Sequence, residues 1–107
     1  MSSGPFFEVV SKLGKRITIS KSYWNYIVNV KHPVMNGLEE TIKSSLVEPI
    51  EVRRSRRDSS VHLYYGRPDE TGLGCCTVIR SLNGDGFIIT AYLTRRMSGD
   101  SIWKEKR

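Results

Sequence analysis

The sequence predicts an α+β fold, in which two helices pack on one face of a four-stranded antiparallel sheet and a β-hairpin precedes them. Three observations predict it. Apolar residues recur twice at helical spacing between residues 20 and 49, β-branched and aromatic runs fill residues 50–94, and turn-forming residues divide those runs. A chain of 107 residues supports one modest core. The expected organisation is an N-terminal β segment and turn over 1–15, an α+β domain over 16–97 and a basic C-terminal tail over 98–107.

In chain order, Phe6 to Val10 and Arg16 to Ser20 are β-rich and flank Ser11-Lys12-Leu13-Gly14-Lys15, which reads as a hairpin. Ser20 offers a helix N-cap, and Tyr23, Trp24, Ile27 and Val28 mark one buried helical face through about Lys31. Pro33 biases His32 away from helical dihedrals, so the helix ends there. After Asn36-Gly37, Leu38, Ile42 and Leu46 form the stripe of a second helix, with Glu39, Glu40 and Lys43 on the wet side and Pro49 as its stop. Strands follow at Ile50 to Arg54, Val61 to Tyr65, Cys75 to Ser81 and Phe87 to Thr94. Alternation sets His62 and Tyr64 against Val61, Leu63 and Tyr65. It likewise sets Ile88, Thr90 and Tyr92 against Phe87, Ile89 and Ala91, so Thr90 and Tyr92 share an open, partly polar face.

Seventeen Lys and Arg against eleven Asp and Glu give a net charge of +6, which favours an anionic partner. The densest cationic stretch is Arg53-Arg54-Ser55-Arg56-Arg57-Asp58. Cys75 and Cys76 are adjacent, point to opposite faces of a strand and are expected to be reduced, which fits a cytoplasmic protein. The opening Met1-Ser2-Ser3-Gly4-Pro5 lacks the charge and apolar run of a secretion signal, and no apolar run is long enough to span a bilayer. Two adjacent Cys and two distant His do not have zinc-site spacing, and neither a phosphate-cradling Gly-rich loop nor Gly-x-Ser-x-Gly occurs. Neither metal nor cofactor is expected.

What remains is a titratable imidazole, a phosphate-sized cationic patch and aligned hydroxyls. Metal-free RNA cleavage needs a base for the 2′-hydroxyl proton, an acid for the leaving 5′-oxygen and cations for the charge that develops on phosphorus. His32 changes charge near neutral pH and suits base or acid. Arg53 offers a planar fork for two non-bridging oxygens. Tyr92 can donate to the leaving oxygen or stack on a base, and Thr90 can orient phosphate or His32. Asp58 can fix the imidazole tautomer or pair with an arginine. Lys31, Arg54, Ser55, Arg56, Arg57, Tyr64 and Arg95 complete the substrate-contact candidates. His62, a lone strand histidine, reads as a packing or surface residue.

Trp24-Asn25-Tyr26-Ile27, Lys31-His32-Pro33, a helix stopped at Pro49, Arg53 to Asp58, Tyr64-Tyr65 and Thr90-Ala91-Tyr92 together resemble the phage barnase, EndoU, colicin and RelE-like (BECR) nuclease group, over roughly residues 17 to 95. The resemblance implies helices followed by a four-stranded antiparallel sheet. It also implies RNA cleavage by a toxin or effector, with an acidic antitoxin or immunity protein as a partner beside the RNA. Matched by position, His32 takes the place of the helix-end histidine, Arg53 or Ser55 with Asp58 that of the first-strand polar group, and Thr90 and Tyr92 that of the last-strand motif. The expected function is therefore a metal-independent endoribonuclease. The alternatives are a non-enzymatic RNA-binding or regulatory domain, or an inactive relative acting as a protein-interaction module.

Overall fold

A computed structural model describes residues 6–106. Strands β1 (Phe7–Val10) and β2 (Arg16–Ile19) form the expected hairpin, closed by Gly14 at φ +84°, a left-handed conformation that glycine adopts without strain. The Ser20 hydroxyl caps α1 (Lys21–Tyr26) by accepting from the Tyr23 amide at 3.1 Å. The helix then widens into a π-helical turn over Ile27–Lys31, with the His32 amide donating to the Ile27 carbonyl at 2.7 Å. Pro33–Met35 makes one 3-10 turn, and α2 (Glu39–Val47) buries Ile42, Ser45 and Leu46. Five strands follow: β3 (Glu51–Arg54), β4 (Val61–Tyr65), β5 (Gly74–Ser81), β6 (Asp85–Thr94) and β7 (Asp100–Lys104).

The α+β class stands, but the sheet is not four-stranded and not wholly antiparallel. It has seven strands in the order β1-β2-β6-β5-β4-β3-β7, and β2 runs parallel to β6. Strands β3 to β6 are the expected antiparallel meander. The hairpin joins them through three register pairs, Arg16–Asp85, Ile17–Gly86 and Thr18–Phe87. The stretch expected as a solvated tail forms β7 on the outer edge of β3, where Trp103 and Ile102 pack against the main core. The isolated charge pattern of Lys104 to Arg107 hides that strand, because only two residues before it carry the apolar signal.

The two faces of the sheet have separate cores. Helices and hairpin cover Val52, Tyr64, Cys75, Ile79, Ile88 and Ala91. Leu63, Tyr65, Cys76 and Val78 occupy the opposite face, with Ile89, Tyr92 and Met97 packed against them. Cys75 and Cys76 are thus both buried, both unbridged and assigned to different clusters. Strand β6 ends at Thr94 beside Gly74, and β7 begins at Asp100 beside Arg54. The Arg95–Gly99 connection therefore runs diagonally across the face opposite the helices. Met97 packs onto that face and the Ser98 amide donates to the Tyr65 hydroxyl at 3.0 Å. No helix of the described residues is long and apolar enough to cross a membrane.

Candidate functional site

A bulge in β6 builds the site. Val78 pairs with Thr90 and Ile79 with Ile88, which leaves Ile89 without a partner on either neighbouring strand. The extra residue changes the expected alternation: Ile88 turns under the helices, whereas Ile89, Thr90 and Tyr92 belong to the opposite face. Beyond Phe87 the outer edge of β6 is no longer paired with β2, and the Ile27–Met35 segment lies alongside it. The Tyr23 hydroxyl donates to the Ile89 carbonyl at 2.7 Å, and the Lys31 ammonium lies 3.3 Å from both that oxygen and the Tyr23 hydroxyl.

Lys31 and Tyr23 belong to the segment that delivers His32. The π-turn ends at His32, whose extended backbone (φ −144°) before Pro33 carries the ring to the edge of β6. There it packs against Tyr92, with ring centroids 5.7 Å apart and planes tilted by 40°. Both rings are half-buried. The Thr90 hydroxyl, two residues from Tyr92 on the same face, is buried without a hydrogen-bond partner.

Beneath this group, Tyr65, Cys76 and Tyr92 stand directly opposite one another across β4, β5 and β6. Burial raises the Cys76 thiol to about 12, with the two tyrosine hydroxyls partly offsetting it. Burial, then Cys76 and Tyr65, also push Tyr92 well above the usual phenol range. The Tyr92 phenol therefore stays protonated and acts as a donor. The Cys76 thiol likewise stays neutral, which removes it as a nucleophile near neutral pH.

The arginine stretch does not close around this group. Arg53 faces the same side as Thr90, but Leu63 and Val78 stand between them in register, so three interstrand spacings, roughly 14 Å, separate the two backbones. Its guanidinium donates to Glu51 at 3.0 Å and to the Gly99 carbonyl at 3.3 Å, beneath the crossing connection. The structure thus brings His32 against Tyr92 and leaves Arg53 apart from both. Arg56 pairs with Asp100 at 3.0 Å, while Ser55 accepts from the Arg57 amide in the β3–β4 turn. Asp58 is far from His32 in the chain's architecture, in the β3–β4 turn, and pairs with Arg80 at 3.1 Å. Hydrogen bonds from Ser60, then Arg80, hold its carboxyl below the ordinary range.

Arg54 is exposed and shares the helix-bearing face with His62, its register partner. Arg95 reaches the Thr71 carbonyl at the far end of β6. Tyr64 is a correction: its ring is fully buried under the helices, and its hydroxyl bonds Ser11 at 2.8 Å, so it is core and not a substrate contact. Its neighbour Tyr65 is the tyrosine on the site's face. Alternation separated the two tyrosines but could not say which one the helices would cover. Tyr23, Cys76 and Arg80 also went unassigned from sequence. Tyr23 was visible only as part of a core stripe, and Arg80 only as a lone charge one residue before the end of a strand.

A groove of about 870 Å³ opens elsewhere, between α2 and the end of β7, lined among others by Lys12, Glu48, Arg67, Trp103 and Glu105. Arg67 and Glu105 are joined across it at 2.8 Å. Among the described residues no group of three His, Cys, Asp or Glu is arranged to hold a metal ion. Comparisons with protein-family models, curated proteins and solved structures found no match.

Proposed function

We propose that this protein is an RNA-cleaving toxin or effector whose site is the face of β6 beside the π-turn. The observation that carries the reading is the packing of His32 on Tyr92 next to an unpartnered Thr90 hydroxyl. Two titratable rings from separate elements are brought together at a half-open surface, and a buried hydroxyl without a partner costs stability unless something binds it.

His32 takes the proton of the RNA 2′-hydroxyl as that oxygen forms a bond to the adjacent phosphorus. The bond to the 5′-oxygen breaks, and Tyr92, kept neutral by its surroundings, gives that oxygen its proton. The products are a 2′,3′-cyclic phosphate and a free 5′-hydroxyl. His32 then returns its proton to Tyr92, its packing neighbour. Thr90 donates to a non-bridging oxygen. Lys31, adjacent to His32 and anchored at Ile89, replaces Arg53 as the nearest cation for the developing charge. An acidic antitoxin or immunity protein silences such an enzyme by covering this face.

The test is cleavage of tRNA, rRNA and mRNA in excess chelator. The wild-type chain is expected to cut, and His32→Ala and Tyr92→Phe to lower the rate by about 10²-fold or more while unfolding cooperatively. Intact RNA with all three proteins rejects the enzyme. Salt-sensitive RNA binding without cleavage assigns the face to a non-enzymatic RNA-binding role.

A further inference from the structure

Tyr26 is an aromatic side chain that the cleavage chemistry does not use. It closes α1 two residues after the buried Trp24, yet 45% of the residue is exposed. Its ring lies 5.7 Å from that of Tyr23, tilted by 39°, and the Lys31 Nζ atom lies 5.7 Å from the centroid of each ring. The same ammonium donates to the Ile89 carbonyl and to the Tyr23 hydroxyl, so two of its three N–H groups are used and one is left. Ring and cation are thereby tied to the bulge of β6, one residue before Thr90 and beside the segment that brings His32 onto Tyr92. The sequence has no Asp or Glu between Glu8 and Glu39, and none between Asp85 and Asp100. Neither α1, nor the π-turn, nor β6 beyond its first residue therefore supplies a carboxylate to this corner. Lys31 forms none of the ion pairs among the described residues.

We propose that Tyr26 and Lys31 form a nucleotide subsite, in which an unpaired base of the RNA stacks on the Tyr26 ring and the remaining N–H of Lys31 bonds the phosphate beside it. An exposed tyrosine alone is ordinary surface. Held by a second ring and an unpaired cation, it presents a flat apolar area with positive charge at its edge, the complement of a base and its phosphate. The inference rests on the reading of this face as the place where RNA lies, and it adds the class of RNA. The strand is single or looped, because a base stacked within a duplex has no face to give a side chain. The 5.7 Å between ammonium and ring is within the reach of one nucleotide, so both contacts belong to the residue flanking the cleaved bond. Every base has a π face, so the subsite selects for an unpaired strand and tolerates any base.

The test is fluorescence anisotropy with 2′-deoxy strands, which lack the attacking hydroxyl and report binding whether or not the protein cuts RNA. Three probes are compared: a single strand, its duplex, and an abasic strand of the same length. Tyr26→Ala should weaken binding of the single strand about tenfold and leave the abasic strand and the duplex unchanged. The position is exposed and helical, where alanine favours the fold. Tyr26→Phe keeps the ring and should bind as wild type does. Lys31→Gln should weaken the single and abasic strands alike and lower the slope of log affinity against log salt by about 0.7. A Tyr26→Ala protein that binds the single strand as tightly as wild type overturns the proposal. So does an equal loss on the abasic strand, which would make the ring a support for the cation alone, and so does a wild-type chain that binds none of the probes. A chain that binds in the expected pattern but leaves RNA intact keeps the subsite and loses the enzyme. One that cuts RNA while Tyr26→Ala binds normally keeps the enzyme and loses the subsite.

Discussion

The Tyr23 hydroxyl donates to the Ile89 carbonyl at 2.7 Å, tying the first helix to the one residue of β6 that its neighbouring strands leave unpaired. Because Ile89 is the bulge, this bond holds the point at which Thr90 and Tyr92 are turned toward His32. Tyr23→Phe removes the donor and keeps the ring. It should destabilise the fold by only about 1 kcal/mol, read as a lower urea midpoint at unchanged slope. Cleavage should fall further than that loss explains at a temperature where the variant is fully folded. An unaltered cleavage rate would show that the bulge holds its shape without the helix.

Gly99 is where the crossing connection meets β3. It adopts φ +87°, and a Cβ placed there would stand 2.6 Å from the Arg54 carbonyl oxygen and 3.2 Å from Leu63 Cδ1. Neither the backbone oxygen nor the left-handed conformation accommodates a side chain. Gly99→Ala should therefore cost roughly 2 kcal/mol or more, seen in thermal unfolding, and should loosen β7 specifically. Hydrogen exchange checks this: amides of residues 100–104 should lose protection before those of β5.

The strands of the meander were legible because each carries its own alternating pattern between turn residues, and both helices because Trp24, Ile27, Ile42 and Leu46 repeat at helical spacing. What joins them was not. The parallel pairing of β2 with β6 rests on three residue pairs distant in sequence, and no local pattern encodes it. The bulge at Ile89 was hidden for a related reason: Phe87-Ile88-Ile89 is apolar throughout, so a shift of one residue leaves no polar mismatch in the sequence. The candidate site was half readable. His32 and Tyr92 carry chemistry in their side chains, the first closing its helical segment and the second lying two residues from the end of β6, whereas the distance from Arg53 depends on strand order. The choice between Tyr64 and Tyr65 depended on which face the helices cover.

Glu51 and Arg53 form an ion pair at 3.0 Å, with the carboxylate almost wholly buried and the guanidinium about three-quarters buried. Burial pushes the Glu51 carboxyl up, but hydrogen bonds from Ser101 and Arg53, with the charges of Arg53 and Lys104, outweigh it and leave it below its ordinary value of 4.5. A carboxyl that is more acidic when folded adds stability above that value, and the contribution disappears as pH falls below it. Arg53→Met should destabilise the chain near neutral pH by about 3 kcal/mol, because it leaves a buried charge unpaired. The deficit should shrink below pH 4.5, where Glu51 takes up a proton. Urea unfolding of both proteins across that range measures it. A deficit independent of pH would mean that Arg53 acts through packing or through its bond to Gly99 alone.

Thr90 separates stability from function more sharply than any other position. Its hydroxyl is buried with no partner, so it contributes an uncompensated desolvation cost to the folded state and no hydrogen bond. Thr90→Val keeps the β-branched shape that the strand favours and exchanges that hydroxyl for a methyl group. The variant should be as stable as wild type or more so, by up to about 1 kcal/mol. If the hydroxyl waits for a phosphate oxygen, the same variant should lose RNA cleavage, by about tenfold or more for one hydrogen bond to a charged oxygen made in the transition state. A stable Thr90→Val protein that cuts RNA at the wild-type rate would remove Thr90 from the site, leaving His32 and Tyr92 to carry the chemistry alone. A variant that loses stability would mean that the hydroxyl has a partner in the folded chain, so that its apparent isolation is not what marks the face as a place for substrate.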